Sequence, residues 1–324
     1  MEISFIDANA DEFNSVKGKG INGLKFAMMV ATCGRHNILA FGKPGCGKSL
    51  MLQKFPMLMP KLMADEKESV KRIYDLVGLS TIVESDNRPF RMPHQTASIE
   101  GMCGGGPNCR PGEISLAHNG MLFLDEAAEF RTSVLQMMRV PLESHQITLC
   151  RAGRTTVYPA KLQLAMATSP CPCGNFNADD RICICSERSI EQYWKKFSGP
   201  LLDRMDIRFD LNSEHTKDEL SDNHEWTLDE LREIIIRAQT VQYERQGKLN
   251  ADLTPSDIEM YCQMESSTVA KLDSFCTISG TSSVGRKSIV KLARTVADIY
   301  ESDKIANIHM SLALALRDTT PVGN

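Results

Sequence analysis

The chain has 324 residues, 42% of them apolar and 24% charged, which is long enough to bury a sizeable core and to form two domains of about 100–200 residues each. No apolar run approaches the roughly 18 residues of a membrane span, and the acidic opening MEISFIDANADEF does not suit a secretory or mitochondrial leader, so a cytoplasmic chain without membrane contact is expected. With 37 basic against 41 acidic residues the formal charge is −4, which excludes a polycation, and any contact with nucleic acid must come from a local patch.

In chain order, the first element that carries chemistry is ILAFGKPGCGKSLML at residues 38–52. Residues 37–41 predict a short apolar strand and residues 50–55 a helix. Between them Gly42, Lys43, Pro44, Gly45, Cys46, Gly47, Lys48 and Ser49 fit the phosphate-loop pattern G-x-x-x-x-G-K-[ST]. Glycines let the backbone turn its N–H groups inward around a phosphate, and the helix that follows adds the positive end of its dipole. Lys48 supplies charge for the β- and γ-phosphates and Ser49 a hydroxyl for Mg²⁺, so ATP with Mg²⁺ is the expected cofactor pair. The nucleotide-contacting set is then Gly42, Pro44, Gly45, Cys46, Gly47, Lys48, Ser49 and Leu50.

The next element is MLFLDE at residues 121–126, four apolar residues that end in two carboxylates. This is the pattern of a central parallel strand whose C-terminal end meets a nucleotide. Asp125 is placed to organise Mg²⁺ and Glu126 to orient and deprotonate an attacking water. In isolation such a strand more often ends in a solvated acidic turn; the phosphate loop upstream favours the functional reading.

Residues 146–149 and 155–158 predict the strands of a hairpin with Gly153 at its tip and Arg151 and Arg154 on either side. A solvated turn and a contact for phosphate backbones are both open to such a tip. Of the eleven cysteines, four crowd into two pairs, Cys171–Pro172–Cys173 and Cys183–Ile184–Cys185. Four thiolates on one loop suit a tetrahedral zinc ion, and in a reducing cytosol a metal is favoured over disulfides. The C-x-C spacing is tighter than the usual zinc spacing, and a proline-stiffened loop whose thiols merely pack is the alternative. From about residue 226 the pattern turns helical. Leu228, Leu231, Ile234, Ile235 and Ala238 recur at helix spacing, Gly247 ends that segment, Pro255 opens another, and residues 288–299 and 308–317 predict two more. The expected organisation is an α/β domain of parallel strands over residues 1–211, a polar linker over 212–225 and a small all-helical lid over 226–324 with a frayed end, TTPVGN.

Longer segments carry a family resemblance: PFRMPHQTAS (89–98), GGGPNCRPGEISLAHNGMLFLDEAAEF (104–130), SPCPCGNF (169–176), SGPLLDRMDIRFDL (198–211) and KLARTVADI (291–299). In these the chain resembles the magnesium-chelatase-like AAA+ ATPases, which are P-loop NTPases, and among them is most similar to the ComM-type (YifB) competence and branch-migration proteins. The likeness runs from about residue 12 over nearly the whole chain. Proteins of that type usually carry a Lon-protease-like domain ahead of the ATPase, and this chain begins almost at the ATPase.

The resemblance implies a homo-oligomeric ring, a hexamer, in which Arg204 of one subunit completes its neighbour's site as an arginine finger. An ion pair of Arg204 with Asp203 or Asp206 is the alternative. Two positions depart from the family. The residue before PCPCG, usually an asparagine that helps hold the attacking water, is Ser169, which is shorter and lacks amide donors, with Thr168 beside it as a candidate contributor. The sensor arginine of the small domain falls on Val284, so Arg286 becomes the nearest substitute for nucleotide contact. Both departures bear on the speed of hydrolysis more than on binding. The resemblance also aims the insert containing His94 and Gln95, and the hairpin with Arg151 and Arg154, at the pore of the ring, where repeated arginines would form a positive collar for DNA. Three functions fit: an ATP-driven DNA translocase or helicase acting in recombination or natural transformation, a chelatase-type ATPase that remodels a protein partner for metal insertion, and a nucleotide-controlled assembly with weak hydrolysis.

Overall fold

In the computed structural model, residues 3–18, 20–79, 85–151, 153–177, 181–212 and 224–317 are described. Five strands form one sheet in which every pairing is parallel: β1 (Ile38–Phe41), β2 (Phe90–Arg91), β5 (Met121–Leu124), β8 (Gln163–Thr168) and β9 (Ile207–Asp210), in the order β2-β5-β8-β1-β9. Two antiparallel ribbons stand apart from it, β3 (Gly104–Gly105) with β4 (Arg110–Pro111), and β6 (Gln146–Arg151) with β7 (Arg154–Pro159).

The sheet is legible because its middle is covered on both faces. Every residue of β1, β5 and β8 is buried, as expected of strands that read as unbroken apolar runs. Alternate residues feed two cores. Ile38, Ala40, Met121, Phe123, Ala165 and Ala167 face one, while Leu39, Phe41, Leu122, Leu124, Leu164 and Met166 face the other. Register sets the strand ends side by side: Phe41 pairs with Thr168 and Leu124 with Met166. Because β1 lies between β8 and β9, the crossovers diverge there, and a crevice opens at the C-terminal edge, where ligands of open parallel sheets bind.

Ten helices accompany the sheet among the described residues: α1 (Ala10–Asn14), α2 (Ile21–Gly34), α3 (Lys48–Leu52), α4 (Ala64–Asp75), α5 (Ile99–Cys103), α6 (Glu113–Leu116), α7 (Thr132–Met137), α8 (Arg139–Ser144), α9 (Glu187–Lys195) and α10 (Gly199–Leu202). Five more follow: α11 (Leu228–Gln246), α12 (Pro255–Tyr261), α13 (Ser266–Ile278), α14 (Ser283–Ile299) and α15 (Asn307–Ala315). Their ends obey local chemistry. Thr227 and Glu230 form a capping box at the start of α11, and Gly247 closes it at φ 69°, a left-handed position that glycine takes without steric cost. Pro255 occupies the first turn of α12, capped by Thr254. Helix α13 is absent from the sequence reading because only Thr268 and Leu272 are buried along it, too little for an apolar stripe. The linker expected over 212–225 and the closing TTPVGN lie largely or wholly outside the described residues.

The C-terminal helices form the all-helical region that the sequence suggested, and it is seated on α2. Helix α14 is buried at Gly285, at Ser288–Val290 and at Leu292–Asp298, and it packs with α11 against α2. The side-chain amides of Gln239 and Gln242 donate to the carbonyl oxygens of Thr32 and Cys33 at 2.9 and 3.1 Å. Ile289, Leu292, Ala293 and Val296 thereby join the same apolar core as α2 and β1. No helix among the described residues is long and apolar enough to cross a membrane.

One polar knot holds this helical layer. Arg294, 1% exposed, donates to Asp298 Oδ1 at 2.8 Å; Arg245 and Asn250 donate to Asp298 Oδ2 at 2.9 and 2.8 Å. Removing one partner of a buried ion pair leaves the remaining charge uncompensated, so Asp298→Ala is expected to lower stability by about 3–5 kcal/mol. Urea unfolding followed by circular dichroism measures it, and a loss below about 1 kcal/mol, the range of exposed pairs, would refute the knot's role.

Candidate nucleotide site and four-cysteine cluster

The loop between β1 and α3 takes its shape from two glycines in the left-handed region, Gly45 at φ 76° and Gly47 at φ 89°. Lys48, the first residue of α3, is buried, and its ammonium donates to the carbonyl oxygens of Gly42 at 3.1 Å and Lys43 at 3.3 Å. The charge is thereby held inside the curl of its own loop. Ser49 Oγ donates to Asp125 Oδ1 at 2.6 Å, which joins the end of β1 to the end of β5 across β8. Glu126 follows in the left-handed conformation (φ 50°, ψ 47°), its N–H bonded to Asp125 Oδ1 at 2.9 Å. That conformation costs a non-glycine residue roughly 1–3 kcal/mol, a strain that concentrates at functional sites.

These residues border a cleft of about 520 Å³, within the size range of small-molecule sites. Pro44, Gly45, Lys48 and Ser49 line it from the loop, Glu126 and Glu129 from the end of β5, Thr168 and Ser169 from the end of β8, with Gln95 and Tyr193 closing the sides. An ammonium, a hydroxyl paired with a carboxylate and a second carboxylate, set against backbone at positive φ, form a donor set that fits a nucleotide phosphate chain and its divalent ion. Gly42, Cys46, Gly47 and Leu50 shape the loop without lining the cleft; Leu50 is 52% exposed.

Thr168 does not stand free to assist Ser169. Its hydroxyl is hydrogen-bonded to the phenol of Tyr193 at 2.8 Å, and burial pushes that phenol up to about 12, so it stays protonated. Tyr193 and Gln95 are the cleft residues whose roles the sequence hides. Tyr193 sits in an ordinary amphipathic stretch, and Gln95 belongs to the insert that was expected to face a pore. Here Gln95 Nε2 donates to Glu126 Oε2 at 3.1 Å.

Just past Ser169 the two cysteine pairs meet. The Sγ atoms of Cys171, Cys173, Cys183 and Cys185 all lie within 4.8 Å of one another, and three of the separations are 3.4, 3.6 and 3.7 Å. A zinc ion with Zn–S bonds of about 2.3 Å at the centre of a tetrahedron sets its sulfurs about 3.8 Å apart, so the cluster has the size that such an ion requires. The backbone N–H of Asn175 holds the Cys173 thiol below the usual range, while burial pushes the Cys171 and Cys185 thiols up. Among the described residues this is the one group of His, Cys, Asp and Glu side chains close enough together to ligate a metal.

Known protein families match both regions of the chain. The family described as magnesium chelatase, subunit ChlI, matches residues 12–220, and its C-terminal counterpart matches residues 226–317. The chain belongs to this magnesium chelatase ChlI family. It is 36% identical over 302 residues to the uncharacterized protein YifB of Salmonella typhimurium, covering 90% of this chain and 58% of that protein. It is 33% identical over 318 residues to the competence protein ComM of Haemophilus influenzae, covering 97% of this chain and 62% of that one. The chain thus spans about three fifths of the length of these curated relatives.

For a member of the ChlI family, the remaining expected site residues fall in two other places. Arg204 is outside the cleft: it donates to Pro200 O at 2.8 Å and pairs with Glu143, not with Asp203 or Asp206. It borders a separate cavity of about 260 Å³ with Val284, Lys287 and His145. Arg286 is not a residue of the nucleotide cleft either. Ser282 Oγ donates to Asp203 Oδ2 at 2.7 Å, which ties the first turn of α14 beside Arg204, and Arg286 pairs with Asp273 of α13. Arg151 is exposed at the tip of the β6–β7 ribbon, where it is the register partner of Arg154, and Gly153 between them adopts φ 77°.

Lys48→Ala is expected to abolish binding of labelled ATP, because the cleft loses the one cation that lines it among the described residues. Glu126→Gln keeps that cation and is expected to bind ATP within about threefold of the parent while turnover falls by about 10² or more. Equal affinity of the parent and Lys48→Ala in equilibrium dialysis would remove the nucleotide assignment.

Proposed function

We propose that this chain is an ATP-hydrolysing AAA+ motor that works as a ring, a hexamer, on single-stranded or branched DNA in recombination or natural transformation. The observation that carries the ATPase reading is the convergence of Lys48, the Ser49–Asp125 pair and Glu126 in one cleft at the ends of β1 and β5. In this reading Lys48 neutralises phosphate charge, Ser49 and Asp125 hold Mg²⁺, and Glu126 orients a water and takes its proton while Ser169 borders the same space. Bound Mg²⁺ would supply charge stabilisation on the phosphate oxygens. Release of Glu126 from Gln95 is part of this reading, since the carboxylate oxygen that accepts from the amide is then open to a water.

Arg204 supports a ring. Arg204 lies away from its own cleft, and to reach a neighbour's phosphates it would exchange its bonds to Glu143, whose carboxylate is exposed, and to Pro200 O. Work on DNA is supported by the arginine-tipped ribbon, by the resemblance to branch-migration proteins and by a relative named as a competence protein. The family's description as a magnesium chelatase favours the second reading, remodelling of a protein partner for metal insertion. We further assign zinc to the four-cysteine cluster.

DNA-stimulated ATP hydrolysis separates the two readings. Single-stranded DNA is expected to raise kcat, and replacing Arg151 and Arg154 by alanine should weaken DNA binding and flatten its salt dependence by about 0.7 in log K against log salt for each phosphate that the variant no longer neutralises. ATP affinity should be untouched. Protein that binds no DNA at low salt with ATP present would sink the DNA reading in favour of protein remodelling.

A further inference from the structure

We propose that the four-cysteine cluster, closed by a tetrahedral ion of the zinc class, is the brace that fixes the hydrolytic end of the nucleotide cleft, so that losing the ion slows turnover without abolishing nucleotide binding. The inference rests on the reading of the cleft as an ATP site.

The orientation of the loop argues for a metal over simple packing. Ile182 and Ile184 are 87% and 85% exposed, while Cys183 and Cys185, alternating with them, turn their sulfurs toward Cys171 and Cys173. A loop folded by the hydrophobic effect would bury the isoleucines, since each loses far more apolar surface than a thiol does. What holds this segment with its largest apolar side chains in water is therefore something that selects sulfur.

Both ends of the loop are cleft walls. It leaves β8 at Thr168 and Ser169 and returns, through α9 with Ser186 as its N-cap, to Tyr193. Gly174 lies at φ 78°, and a Cβ there would come within 2.6 Å of the Cγ and Cδ atoms of Pro44, so the backbone of the cluster rests directly on the phosphate loop. On its other side the indole of Trp194 donates to Pro170 O at 2.9 Å and packs edge-on against Phe41, the last residue of β1, at 5.2 Å between ring centroids. The cluster thus touches the phosphate loop, the end of β8 and α9 together. Without an ion, the segments 169–177 and 181–186 must be held together by weak contacts against chain entropy. Four bonds to one ion fix them, and with them the positions of Pro44 and Ser169. Lys48 and the Ser49–Asp125 pair are held by other contacts, which is why binding should outlast the brace.

Protein purified under reducing, chelator-free conditions should carry about one zinc per chain by elemental analysis. Zinc is then stripped with a thiol-reactive mercurial that is afterwards removed with dithiothreitol, and added back. Expected on stripping are a fluorescent-ATP affinity within about threefold of the parent, a kcat at least about tenfold lower, and faster amide hydrogen exchange over residues 43–47 and 168–176, all restored by added zinc. Gly174→Ala keeps the four thiols and should retain zinc while its new Cβ displaces Pro44, lowering kcat in the same way. Absence of a bound ion, or exchange over 43–47 that ignores zinc, overturns the proposal. So does loss of ATP binding in step with turnover, which would mark the cluster as a general support of the fold. If the zinc-loaded protein itself binds no ATP, the reading of the cleft fails, and the exchange measurement still decides whether the ion braces the loop.

Discussion

Parallel register is the constraint on which the rest of this structure depends. Strands β1, β5 and β8 run the same way and end together, so the residues that follow each of them, Gly42, Asp125 and Ser169, emerge at one edge of the sheet although the chain separates them widely. The Ser49–Asp125 hydrogen bond is possible because that edge is shared. So is the placement of the cysteine loop, whose first thiol follows Ser169 by two residues. A slip of one residue in β8 would exchange its two buried faces and carry Ser169 away from the loop.

How much of this could be read beforehand differs by element, for physical reasons. Strands β1 and β5 were legible because burial on both faces demands unbroken apolar runs, and the phosphate loop because only glycine at Gly45 and Gly47 accepts the backbone it needs. The hairpin was legible from Gly153 and the alternation around it. Tyr193 and Gln95 were not, since each acts through one contact with a residue remote in sequence, Thr168 for one and Glu126 for the other. No local pattern distinguishes a tyrosine that reaches a cleft from one that fills a core. Helix α13 escaped for want of an apolar face.

The larger departure concerns where the C-terminal helices go. Periodicity identified α11 and α14 as amphipathic, yet it says which side of a helix is apolar and not which partner that side will find. The partner is α2, and the result carries Ser282 and Val284, at the start of α14, to the neighbourhood of Arg204. Two separate charged regions follow, one around Lys48 and Glu126 and one around Arg204, Lys287 and His145.

The shared core of α2, α11 and α14 has a consequence for how the chain is made. Helix α2 ends at Gly34 and its principal partners are not complete until Ile299, so on a ribosome adding about 5–20 residues per second its apolar side waits on the order of tens of seconds for cover. During that interval Met28, Met29 and Val30, all fully buried in the finished fold, have no native neighbours from the C-terminal helices. The nascent chain thus carries an apolar surface that only later residues cover. Synonymous changes that slow translation beyond residue 228 should weigh on its yield more heavily than changes to the finished protein's surface.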